Sequence, residues 1–320
     1  MVQHDSHVVI EPFQETHLFR VQLLINMHLS TMVPGWGLPE AFIARCLHRN
    51  PYQETTDLWV RERVTLCALQ KQRVVAAAHL LRYGNGPEVN PSYQNVGDLA
   101  WFLAWPNASE AATALLVAAR RQFAAWEVTR EYAWDAGVPV GPFVGVPDVW
   151  PHVALALETA GYHPRAGKEG EEMVYGGPLE AALPPGSPPI AGLTLRRMMG
   201  TIDGARFVAL VDGEAISQCE CATDLTRGGA LPALRGWGEL SELEVSAAWR
   251  NRGIGTWLVR QAVAWHRLGG GERMILTVTP EDEVAGAGRF YERLGWRVLV
   301  RQRKGWRWED RQVAEVLGTA

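Results

Sequence analysis

Three observations predict an α+β protein made of two copies of one unit. The chain has 320 residues, more than a single hydrophobic core usually spans. Near its middle, Pro178-Leu179-Glu180-Ala181-Ala182-Leu183-Pro184-Pro185-Gly186-Ser187-Pro188-Pro189 blocks helix and central strand alike. On either side of this break the order of strand-like and helix-like segments repeats. We therefore expect domains at 1–177 and 192–320, joined by a linker over 178–191.

The first half opens with a strand from His7 to Phe13, followed by helical segments to about His48. A hairpin comes next, with Val64 to Leu69 and Val74 to Leu81 paired across Lys71-Gln72. The second half has strands at Leu193 to Met198 and Arg206 to Val211, and Asp212-Gly213 turns the chain into Ala215 to Cys221. Each half then starts a strand with similar residues, Gly97-Asp98-Leu99-Ala100 or Gly238-Glu239-Leu240-Ser241. Amphipathic helices follow, containing Arg121 to Trp126 and Arg260 to Trp265, and each half closes on Ala160-Gly161-Tyr162 or Leu294-Gly295-Trp296. Only Met199 to Ala205 separates the first two strands of the second half, which leaves no room for the helices present in the first.

Composition narrows the function classes. A net charge of −4 and pI near 6.2 provide no pull toward nucleic acid or anionic lipid. The N-terminus lacks a signal-peptide pattern and no stretch of about 18 apolar residues occurs, so we expect a cytoplasmic protein with no membrane or nucleic-acid partner, as a monomer or homodimer. Cys46, Cys67, Cys219 and Cys221 have no metal-ligand spacing and are expected as reduced thiols, with Cys219 and Cys221 on one strand face. No metal is expected. His152 and His266 read as surface or capping groups, and no G-x-S-x-G elbow is present.

The chemistry concentrates at one turn. Leu240, Leu243 and Val245 form a strand that enters Arg250-Asn251-Arg252-Gly253-Ile254-Gly255-Thr256, where a helix begins. Ile254, Trp257, Leu258, Ala262 and Trp265 predict its buried face. The first amides of such a helix lack intrahelical partners and its dipole favours an anion. Gly253 and Gly255 allow close backbone approach, so the turn reads as a diphosphate cradle.

These residues resemble the GNAT superfamily of acyl-CoA-dependent N-acyltransferases. Arg250, Gly253 and Gly255 match its Arg-x-x-Gly-x-Gly signature after the Leu-x-Val strand Leu243-Glu244-Val245, and Phe290-Tyr291-Glu292-Arg293-Leu294-Gly295-Trp296 matches its second marker. The resemblance implies two tandem domains, each a mixed, mostly antiparallel sheet with flanking helices and splayed central strands. It also implies acetyl-CoA as co-substrate and direct attack by a primary amine of a small molecule or peptide. Leu243, Glu244 and Val245 would line the pantetheine arm, and the Val245 amide would hold the thioester oxygen. Asn251 to Thr256 would bind the diphosphate, with Arg250 and Arg252 adding charge. Tyr291 would protonate the departing thiolate. Glu239 aligns with the strand glutamate that some members use as a base, while Glu242 and Glu244 lie on the same strand. Val284 and Thr279 stand where many members place an asparagine and some a catalytic glutamate. The alternative is a non-catalytic acyl-CoA-binding or interaction module.

The corresponding turn of the first half, Pro106-Asn107-Ala108-Ser109-Glu110, has no glycine or basic residue, and Leu157 stands in the place of Tyr291. Asn107 or Ser109 is expected to cap the helix there. We read this half as degenerate, in an organisation similar to that of the mycothiol synthases.

Overall fold

Lys71 and Gln72 (φ 51° and 61°) and Asp212 and Gly213 (φ 51° and 84°) adopt the left-handed backbone of two-residue hairpin turns. Both expected hairpins form around them. The structure, a computed structural model, describes residues 7–50, 54–135, 137, 145–165, 170–179, 185–201 and 204–308. In chain order the elements are β1 (Val8–Pro12), α1 (Leu18–Met32), α2 (Glu40–His48), α3 (Glu54–Asp57), β2 (Val60–Gln70), β3 (Arg73–Tyr83), β4 (Val96–Ala104), α4 (Ser109–Ala125), β5 (Arg130–Ala133), β6 (Val146–Pro147), α5 (Pro151–Thr159), β7 (Tyr162–His163) and β8 (Glu171–Pro178). They continue as β9 (Thr194–Met199), β10 (Gly204–Val211), β11 (Glu214–Ala222), β12 (Trp237–Val245), α6 (Ile254–Leu268), β13 (Arg273–Val278), α7 (Pro280–Val284), α8 (Ala287–Arg293), β14 (Arg297–Arg303) and β15 (Trp306–Trp308).

The strands form two mixed sheets, so the fold is α+β with flanking helices. One runs β1-β2-β3-β4-β5-β15-β7 and the other β6-β14-β8-β13-β12-β11-β10-β9. Each has one parallel pair at its centre, β4 with β5 and β12 with β13.

The compact units do not coincide with the expected boundaries: one comprises 1–172 and 300–320, the other 173–299. The cause is strand pairing. β8, which the expected boundary at 177 leaves in the first domain, pairs antiparallel with β13 from Val278↔Met173 to Arg273↔Pro178. β15, at the far end of the chain, pairs with β5 and β7. The first unit is therefore assembled from two separated stretches of sequence, whereas the second is the continuous stretch 173–299.

Of the expected linker, residues 180–184 lie outside the described residues. The part that follows packs on its own unit: Ile190 joins the core cluster, and the Trp257 indole donates to the Gly186 carbonyl at 3.3 Å.

In the unit 173–299 a single apolar cluster unites Ile254, Trp257, Leu258 and Ala262 of α6 with Phe207, Cys219, Cys221, Leu240, Met274 and Leu276 of the sheet. Cys219 and Cys221 share this face as expected. Two residues of α6 depart from expectation. Trp265 is 41% exposed, with the Arg197 guanidinium 5.8 Å from its ring centroid. His266 is 1% exposed, and its Nε2 lies 3.1 Å from the Arg273 carbonyl. The buried stripe thus follows the i, i+4 row Ile254, Leu258, Ala262, His266. Between β9 and β10 the chain reverses directly, with the Gly200 amide bonded to the Gly204 carbonyl, so no helical layer intervenes. Among the described residues no helix is long and apolar enough to cross a membrane.

Candidate functional site

Each central strand of the second sheet follows a different outer neighbour. β12 and β13 pair only over Trp237–Glu239 with Arg273–Ile275. Beyond that point β11 holds β12 as far as Ser217↔Val245, while β8 holds β13 as far as Val278. A bulge assists: Glu220 and Cys221 face Glu242 and Leu240, leaving Ser241 as the extra residue that bends β12. The two strands therefore part after Glu239.

Alternation along β12 sets which amides reach the gap. The Ser246 amide donates to Ile216 of the β11 edge at 3.0 Å, so Val245, one residue earlier, directs its N–H to the other edge, where β13 has diverged. The Arg250 Nε donates to the Val245 carbonyl at 3.0 Å, tying the following turn to the strand end.

That turn carries left-handed residues at Asn251 (φ 60°) and Gly253 (φ 79°), a backbone pattern suited to an anion-binding concavity. Gly253 is the N-cap of α6 and has no side chain to bond the helix amides. The first helical bond from beyond the cap runs from Trp257 N to Gly253 O, so Ile254, Gly255 and Thr256 have amides without intrahelical partners. A cavity of about 640 Å³ opens on them, lined by Leu243 to Val245, Trp249 to Asn251, Gly253 to Thr256, Asp282, Ala285 to Ala287, Phe290 and Arg293. A Cβ at Gly255 would lie 3.6 Å from both Val245 and Phe290, two of the lining side chains.

Most of the expected cradle residues meet at this cavity; three site residues do not line it. Arg252 turns away, its guanidinium 4.9 Å from the centroid of Trp249. Glu239 stands at the closed end of the gap, where burial raises its carboxyl above the ordinary range against the pull of Arg227. Glu242 and Glu244 are exposed and share the Gln218 side-chain amide at 2.9 and 3.5 Å. Tyr291 is 8% exposed and packs among Tyr175, Phe290 and Trp296. Burial, with Cys219 and Asp282 adding, moves its phenol well above the usual tyrosine range. Phe290, one residue earlier, is the aromatic of α8 that lines the cavity.

Of the two departures from the motif, Thr279 has a local use. Thr279 caps α7, its hydroxyl accepting from the Asp282 amide and donating to the Asp282 carboxylate. Val284 is 71% exposed. Asp282, Ala285 and Arg293 were not expected at the site, although Arg293 belongs to the second marker. Pro189 of the expected linker is a further surprise, lying 3.3 Å from the position of a Cβ at Gly253.

In the first half, α4 is capped by Ala108 with no side-chain bond; neither Asn107 nor Ser109 caps it. An alanine at φ −107° cannot donate or accept through its side chain, and the chain enters the helix without a left-handed residue. Leu157 is fully buried.

Residues 184–296 match the profile of the acetyltransferase (GNAT) family. A search of curated proteins gave no match. Among solved structures, a tandem GNAT protein from the clavulanic acid biosynthesis pathway aligns over 95% of this chain and 99% of its own, with a TM-score of 0.60 and 13% identity. A GCN5-related N-acetyltransferase from Sphaerobacter thermophilus aligns over 94% of both chains, at TM-score 0.58 and 13% identity. A GCN5-related glucosamine N-acetyltransferase region in a fungal multi-domain GH3 beta-N-acetylglucosaminidase aligns over 95% of this chain at TM-score 0.57 and 14% identity, and the match spans 38% of that chain. At these identities the structural likeness is one of fold.

Proposed function

We propose that the chain, whose residues 184–296 match the profile of the acetyltransferase (GNAT) family, is an acetyl-CoA-dependent N-acetyltransferase acting on a primary amine of a small molecule or peptide. The observation that supports it best is the cavity at the parted strands, where the Val245 amide, the uncapped start of α6 and two left-handed residues converge.

These residues suit acetyl-CoA. Asn251 and the amides of Gly253 to Thr256 would hold its diphosphate, Leu243 to Val245 its pantetheine arm, and Arg250 adds a fixed charge beside them. When bound, the co-substrate supplies an activated acyl carbonyl. The Val245 N–H then donates to the oxygen on which negative charge grows. Glu239 accepts the proton of the incoming amine, directly or through water, and its buried carboxyl is a stronger base than an exposed glutamate. Tyr291, packed against Phe290 and outside the cavity lining, would protonate the departing sulfur, and burial makes its phenol a weaker acid for that task than an ordinary tyrosine. The amine approaches the sheet face opposite α6, which carries Glu239, Glu242 and Glu244 instead of apolar core.

The test is thiol release from acetyl-CoA by the full chain across a panel of amines. Turnover with one amine class is expected. Binding of acetyl-CoA without turnover on any amine would favour a non-catalytic acyl-CoA-binding module instead.

A further inference from the structure

Of the charged residues lining the cavity, Glu244 is bonded to Gln218, Asp282 to Thr279 and Arg250 to the Val245 carbonyl. Arg293 alone lacks a partner: among the described residues it enters no ion pair or hydrogen bond, and it is exposed. It stands at the end of α8 and lines the same cavity as Asn251 and Gly253 of the strand-to-helix turn. Arg289 lies one helical turn earlier, also exposed, so two cations repeat at i, i+4, a spacing that is mildly unfavourable without an anion nearby.

The anionic groups of the co-substrate are not equivalent. The backbone amides of the turn and Arg250 already serve a diphosphate at the helix start. The ribose 3′-phosphate carries close to two further negative charges, which a cation on the cavity lining stabilises. A guanidinium is the side chain best matched to a phosphate monoester, because its planar fork donates two parallel hydrogen bonds.

We propose that Arg293 reads the 3′-phosphate of the co-substrate, making the site selective for coenzyme A over its 3′-dephospho form. This rests on the acyl-CoA reading of the cavity. Arg293 is then a specificity residue with no part in acyl transfer itself.

Calorimetric titration of the full chain with coenzyme A and with 3′-dephospho-coenzyme A separates the outcomes. The native protein should bind coenzyme A at least about tenfold more tightly, the effect of one charge-assisted contact. Arg293→Ala should bring the two affinities together by weakening coenzyme A alone, and Arg293→Lys should fall between. Equal affinities in the native protein, an unchanged ratio in Arg293→Ala, or an equal loss for both ligands would each overturn the proposal. Failure of the native protein to bind either ligand would instead overturn the acyl-CoA reading, and this proposal with it.

Discussion

The ends of β4 and β12 make the most informative comparison in the molecule. Each strand carries the same bulge: Ala100 is the extra residue opposite His79 and Leu80, as Ser241 is opposite Glu220 and Cys221. Each pairs in parallel with its neighbour only at its start, Val96–Leu99 with β5 and Trp237–Glu239 with β13. Each then ties its far edge back, Trp105 N to Val75 O and Ser246 N to Ile216 O, so that Ala104 and Val245 face the gap. What meets them differs. At Ala104 the carbonyl is 3.0 Å from His152 Nε2, which in turn lies 3.1 Å from His28 Nε2. The Trp150 ring stands edge-on to His28, and Trp134 lies beside Trp150, both indoles fully buried. Burial lowers the His28 imidazole to about 4, so the plug is neutral at physiological pH. At Val245 there is a cavity. One scaffold therefore presents a filled gap in one half and an open one in the other, and a few side chains decide which.

The harshest way to break this comparison is to fill the open gap. Gly253→Glu forces a side chain into left-handed backbone and places a carboxylate where the diphosphate would lie. Acetyl-CoA affinity should fall on the order of 100-fold or more. Calorimetry showing native affinity in a folded variant would remove the cradle assignment. Gly255→Ala is the milder control, because its Cβ meets only ordinary contacts at 3.6 Å.

A second large effect comes from cutting between the halves. A fragment of residues 192–320 lacks β8, which pairs with β13 along six residue pairs from Met173 to Pro178. Its open β13 edge and exposed core should prevent cooperative unfolding. A monomeric fragment that melts cooperatively and retains turnover would show that β8 is dispensable.

Tyr291→Phe should lower kcat by roughly 10²-fold with little change in acetyl-CoA affinity, since the ring packing survives and only the proton is lost. A native kcat would make Tyr291 structural, in keeping with its place behind Phe290.

The geometry of the turn before α6 was legible because its requirements are local. A glycine at a left-handed helix entry, a following apolar face and a preceding strand all show in the continuous stretch from β12 to α6. Strand exchange was not legible: the residues of β8 and β15 look like any strand, and nothing in Glu171–Pro178 names β13 as its neighbour. The bulge at Ser241 has no local signal either. Adjacent helix positions differ by about 100°, so sequence alone did not decide that His266 would be buried while Trp265 is exposed, or that Phe290 would face the cavity in place of Tyr291.

A smaller, pH-dependent effect sharpens the role of Glu239. Burial makes this carboxyl hold its proton more tightly, so the ionised base disappears at a higher pH than for an exposed glutamate, near 4.3. Hence kcat/KM should fall as pH drops through a value above that range, and Glu239→Gln should lower kcat/KM about tenfold or more and erase this acid limb. An unchanged limb in the variant would pass the role to Glu242 or Glu244.

The smallest expected change is none at all, and it tests whether the first half differs by its cap or by its plug. Ala108→Gly gives α4 the residue type that starts α6, so a cap-limited half should gain acetyl-CoA binding. We expect no gain. The Ala104 carbonyl stays engaged by His152, Trp134 and Trp150 stay buried beside it, and Glu110 keeps a negative charge in the first helical turn. Opening the plug with His152→Ala would leave His28 Nε2 without its partner inside a buried cluster, so stability should drop before any site forms. Calorimetry should therefore give one acetyl-CoA per chain for the native protein and for Ala108→Gly alike. A stoichiometry of two in the native protein would show that the filled gap opens for ligand. Two in the variant alone would show that the helix cap, rather than the indoles and imidazoles behind it, separates the two halves.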